Sequence, residues 1–93
     1  MPAAEVVVMH TVGLHARPAA EFVKLAASFP CEIKVCNLTA DSKFVNAKSI
    51  LSVLTLGVQQ AHRVRIETSG EREEEALQAL MALIESNFGE NRG

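Results

Sequence analysis

Glu5-Val6-Val7-Val8-Met9-His10-Thr11-Val12-Gly13-Leu14-His15-Ala16-Arg17-Pro18-Ala19-Ala20 decides the fold, because the hydrophobic period changes inside it. Residues 5–9 are rich in β-branched side chains and read as a strand. Gly13 then allows a turn. From residue 16 to about residue 28 the period becomes helical. Ala19, Phe22, Ala26 and Phe29 fall on one face with Leu25 beside them, while Glu21, Lys24 and Ser28 fall on the other. Pro18 fits only the first turn of such a helix, and Pro30 ends it.

Downstream, the same two periods keep alternating. Residues 31–38 place Ile33 and Val35 between Glu32 and Lys34, the pattern of a half-buried strand. Thr39-Ala40-Asp41-Ser42 is turn chemistry, and residues 43–45 read as the short return strand of a hairpin. Asn46 is a good N-cap for a short helix over residues 47–56, with Gly57 as its stop. Residues 63–67 alternate as a strand, and Ser69-Gly70 turns the chain. Glu71, Glu73, Glu74 and Glu75 crowd the start of a last helix, where negative charge suits the dipole. Its buried stripe is Ala76, Leu77, Leu80, Met81, Ile84 and Phe88, closed by Gly89. The order β-α-β-β-α-β-α predicts an α+β layer fold with helices covering one face of a sheet.

Composition narrows the function. The 93 residues are enough for one domain with one core, and 48% are hydrophobic and 22% charged, as in a globular domain. The net charge is −2 and no basic run occurs, so a nucleic-acid partner is disfavoured. No apolar stretch approaches the roughly 18 residues that span a bilayer, and the first residues lack signal-peptide character. A cytoplasmic location with no membrane insertion is expected. The two cysteines, Cys31 and Cys36, are read as free thiols on opposite faces of a strand. With His10 or His62 they form no recognisable metal-ligand spacing.

Chemistry concentrates around His15. It stands where strand gives way to helix, at or beside the N-cap. The first N–H groups of a helix have no internal partner and the dipole there is positive, so such an end binds phosphate readily. Pro18 has no N–H, which leaves the Ala16 and Arg17 N–H groups for a ligand. Arg17 adds a permanent cation with a planar donor fork suited to phosphate oxygens. A neutral imidazole nitrogen is a competent nucleophile, and these donors would hold the phosphoryl group it acquires. Because Arg17 precedes a proline, its backbone is expected to be slightly irregular.

Gly13-Leu14-His15-Ala16-Arg17-Pro18-Ala19 resembles the active-site signature of HPr, the histidine-containing phosphocarrier family of the bacterial sugar phosphotransferase system. Val45-Asn46-Ala47-Lys48-Ser49-Ile50, followed by Leu56-Gly57, resembles the family's segment around its regulatory serine. The two blocks occur in the family's order, and the likeness runs from about residue 5 to residue 88. It implies a single HPr domain over residues 1–93 with short flexible termini. The implied fold is an open-faced β-sandwich, four antiparallel strands covered on one face by three helices. His15 would accept a phosphoryl group on Nδ1 from phosphorylated enzyme I and pass it to IIA units of sugar permeases, with Arg17 supporting it. No cofactor and no metal are implied. Such a protein has a phosphohistidine intermediate but no small-molecule substrate of its own.

By the same resemblance, Ser49 matches a serine phosphorylated in some members by an ATP-dependent kinase/phosphorylase, which promotes binding to a catabolite repressor. Ile50 and Leu51 match the partner patch. A short helix on a sheet can bury only one face, so its many apolar residues imply an exposed contact surface. Arg17, Lys24 and Lys48 are the candidate cationic rim for an acidic partner. Ala61-His62 departs from the family, which usually has Gly in this turn. His10 and His62 are read as surface or strand residues. Alternatives are a nitrogen-type phosphotransferase carrier and a regulatory module that binds a repressor without transferring phosphate. A monomer is expected, since one face of an antiparallel sheet can stay wet.

Overall fold

The computed structural model describes residues 2–89. The chain runs β1 (Ala3–Val8), α1 (Ala16–Ala27), β2 (Glu32–Asn37), β3 (Val45–Asn46), α2 (Ile50–Leu54), β4 (His62–Ser69) and α3 (Glu73–Glu85), with a 3-10 turn at Asn87–Gly89. The strands form one antiparallel sheet in the order β1-β4-β2-β3. The helices cover one face of it, which is the expected open-faced β-sandwich. Among the described residues no helix is long and apolar enough to cross a membrane.

Alternation along the strands explains the two faces. Val6 pairs with Val64, and Val35 pairs with Ile66. These side chains share one buried cluster with Ala19, Phe22 and Ala26 of α1 and Ala76, Leu80 and Ile84 of α3. Burying a side chain such as Phe22 stabilises the fold by roughly 1.5–3 kcal/mol. On the opposite face Arg65 reaches Glu67 at 3.1 Å and Glu5 at 3.4 Å. These partly exposed pairs contribute little to stability. Cys36 alternates onto this face beside Arg65 and is nonetheless buried, and that burial pushes its thiol up. Cys31 is also buried, and both are free thiols.

The chain departs from the sequence expectations at three joints. The return strand is Val45–Asn46 rather than residues 43–45, because Asn46 pairs with Lys34 in the ladder. Asn46 therefore does not cap α2. Its side-chain oxygen accepts from the Lys48 N–H at 2.9 Å, and the chain turns once more before the helix starts. Ser49 is the N-cap, accepting from the Ser52 N–H at 3.3 Å, so α2 is Ile50–Leu54 rather than residues 47–56. Nor does Gly89 close α3. The helix ends at Glu85, and Asn87 and Phe88 both take left-handed φ of 59°. That bend lays Phe88 on the core, edge-on to the His10 ring with centroids 5.9 Å apart.

Candidate functional site

The loop from β1 to α1 is pinned from below. His10 Nδ1 accepts from the Val12 N–H at 3.2 Å, and its carbonyl accepts from the Gly13 N–H at 2.9 Å. The Leu14 N–H donates to the Val58 carbonyl at 3.0 Å, and the Leu14 side chain is fully buried. Gly13 has φ +65°, and a Cβ there would lie 2.1 Å from that same carbonyl oxygen. Only glycine permits this approach. The loop thus rests on the segment that follows α2.

His15 follows at once as the N-cap of α1, with extended backbone (φ −132°, ψ 167°). Its ring makes no capping hydrogen bond and is half-buried. Among the described residues the Ala16 and Arg17 N–H groups have no hydrogen-bond partner, and Arg17 makes no ion pair. Both residues are exposed, whereas Pro18 and Ala19 are buried and anchor the turn. The irregularity expected at Arg17 falls one residue earlier, on Ala16, whose φ is +51°. An alanine held there costs on the order of 1–3 kcal/mol, which the pinned loop and buried Pro18 must offset. The result is an imidazole that makes no capping bond, two unpaired N–H groups on the residues that follow it, and an arginine without an ion pair, all at the positive end of a helix, an arrangement suited to an anion.

The second block lies on and before α2. Ser49 is half-buried, and its hydroxyl is already used as the cap. Ala47, Val53 and Leu56 are buried, while Leu51 is 74% exposed, Ile50 39% and Leu54 38%. Met9 and Val12, in the loop before His15, are exposed too. Lys24 is exposed in the last turn of α1. Lys48 is a less mobile cation than expected, since Nζ donates to the Phe29 carbonyl at 2.7 Å. Among the described residues, no His, Cys, Asp and Glu side chains cluster as metal ligands.

A family model described as "PTS HPr component phosphorylation site" matches residues 3–86. The chain belongs to the HPr family. A phosphocarrier protein HPr of Pseudomonas putida is 41% identical over 90 residues, covering 97% of this chain and 98% of that protein. A multiphosphoryl transfer protein of Vibrio cholerae is 45% identical over 78 residues, which are 84% of this chain and 20% of the longer one. A crystal structure of an HPr from Thermoanaerobacter tengcongensis superposes with a TM-score of 0.92 at 46% identity, covering 98% of this chain and 99% of that one.

Against the HPr pattern, the departure at Ala61 is absorbed by the backbone. Ala61 takes φ +73°, the left-handed conformation that glycine would adopt freely. The two other histidines are also more engaged than their sequence context suggested. His10 is buried in the turn after β1 rather than at the surface. His62, first residue of β4, accepts through Nδ1 from the Gln59 N–H at 3.2 Å. No sequence spacing signals that bond, because it depends on how the turn folds.

Proposed function

We propose that this chain is a single-domain, monomeric, cytoplasmic phosphocarrier of a sugar phosphotransferase system. It takes a phosphoryl group from phosphorylated enzyme I onto His15 and delivers it to IIA domains of sugar permeases. One observation carries the reading: His15 caps α1 without using its ring, while the adjacent Ala16 and Arg17 N–H groups have no partner among the described residues. A ring nitrogen, Nδ1 on the family pattern, attacks phosphorus as the bond to the donor breaks. The charge on the phosphoryl oxygens then meets donors already in position, with the Arg17 guanidinium beside them. Delivery runs the same step in reverse, the bond to the His15 ring breaking as one to the IIA acceptor forms.

Exposed Ile50 and Leu51 supply an apolar contact for both partners, with Lys24 and Lys48 as the cationic rim. Phosphorylation of Ser49 by an ATP-dependent kinase would place a dianion within this contact, slowing transfer and favouring a catabolite repressor. The test is intact mass after incubation with phosphoenolpyruvate and a bacterial enzyme I. The expected result is one added phosphoryl group, lost in acid and absent from His15→Ala. A folded chain that gains no mass beside an active enzyme I overturns the reading and favours a nitrogen-type system or a non-transferring regulatory module.

A further inference from the structure

The turn between α2 and β4 supports the His15 loop, yet it is built without the glycine that would make it easy. Ala61 sits at φ +73°. Its N–H donates to the Val8 carbonyl at 2.7 Å, and the His62 N–H donates to the Gln59 carbonyl at 3.0 Å. Gln60 Nε2 adds a bond to the Met9 carbonyl at 3.2 Å. Gln59 is held from the other side by His62 Nδ1, which accepts its N–H.

The same Nδ1 lies 3.1 Å from Nδ2 of Asn37. Asn37 is fully buried, and its other bonds fix which way its amide points. Oδ1 accepts from the Ala40 N–H at 3.2 Å, and Nδ2 also donates to the Leu56 carbonyl at 3.0 Å. Both groups that approach Nδ1 are therefore donors, and the ring must present a lone pair there. Gln59 follows Val58, whose carbonyl takes the Leu14 N–H and abuts Gly13. The path from the His62 ring to His15 thus runs through Gln59, Val58 and Leu14, with a hydrogen bond or a peptide link at every step.

We propose that His62 is a positioning residue for phosphoryl acceptance. It fixes the Val58 carbonyl under the His15 loop through the acceptor at Nδ1. The proposal rests on the phosphocarrier reading and adds to it a residue outside both signature blocks. A displaced acceptor loosens the ledge without touching the docking surface, so turnover should fall while the KM of enzyme I for the chain holds.

The experiment compares wild type, His62→Asn, His62→Gln and His62→Leu. Asparagine places an oxygen where Nδ1 stood, whereas glutamine places one near Nε2 and leucine offers none. His62→Asn should accept phosphoryl groups near the wild-type rate. His62→Gln and His62→Leu should lose between about tenfold and about a hundredfold in kcat, the scale expected of a misplaced reacting group. Amide resonances of Leu14 and His15 should move in the glutamine and leucine variants and stay in place in the asparagine variant. If leucine fails to fold, the asparagine–glutamine pair decides alone. Equal rates in all folded variants, or an asparagine variant as slow as glutamine, overturn the proposal. A wild type that takes no phosphoryl group sinks the carrier reading instead, and the amide shifts still decide whether His62 sets the loop.

Discussion

The first turns of α1 and α2 face the same shortage, since the leading N–H groups of any helix lack partners inside it. In α2 the third N–H is met locally, while those of Ile50 and Leu51 have no partner among the described residues. The Ser49 hydroxyl takes the Ser52 N–H, and the Ser49 carbonyl takes the Val53 N–H as the His15 carbonyl takes the Ala19 N–H in α1. In α1 the same two positions are open, and the third, Pro18, has no N–H to cap. His15 contributes no side-chain cap, the next residue is left-handed, and among the described residues two N–H groups in succession have no partner. The two ends differ instead in what stands beside the open N–H groups: a hydroxyl already bonded at α2, and at α1 a ring that makes no capping bond, on a loop that rests at Val58.

The comparison breaks most visibly at the ledge. Gly13→Ala drives a Cβ into the Val58 carbonyl at a φ alanine resists, so the chain should lose more than about 2 kcal/mol in a denaturant titration. A loss below about 0.5 kcal/mol would mean that the loop does not rest there. Ser49→Ala removes the self-satisfied cap of α2 and should cost about 1 kcal/mol while leaving acceptance at His15 unchanged. Ser49→Asp should instead slow acceptance, read by the same mass assay, and an unchanged rate would remove the case for Ser49 as a switch. The smallest effect is the most diagnostic. Ala16→Gly in an ordinary helix costs about 1 kcal/mol. At φ +51° glycine relieves strain, so stability should hold or rise by less than about 1 kcal/mol. A full ordinary loss would contradict the left-handed start of α1.

The layer order and core of this fold were legible in the sequence because they follow from period alone. Val64, Ile66 and Phe22 bury as their spacing predicts, and the family signatures then supplied the sheet architecture. The helix and strand joints were less legible. Asn46 reads as a cap but is drawn into the ladder by Lys34, a partner distant in sequence. Phe88 reads as one more turn of α3 but leaves it through two consecutive left-handed residues, of which asparagine favours that conformation and phenylalanine does not. At the site, the residue types and their order around His15 were readable, as was the exposed apolar surface of α2. The ledge was not, since its members Val58, Gln59 and His62 meet Gly13 and Leu14 only once the sheet has formed.

β4 joins β1 on one side and β2 on the other, with Ala3 opposite Glu67 and Glu32 opposite Ser69. During synthesis β1, α1, β2 and β3 therefore emerge with no central strand to unite them. The sheet closes only when the last of β4 has left the ribosome, so assembly is late and concerted rather than stepwise. The ledge beneath Leu14 is made in the same stretch of chain. A nascent chain already displays the His15 signature as sequence long before it can display it as a surface.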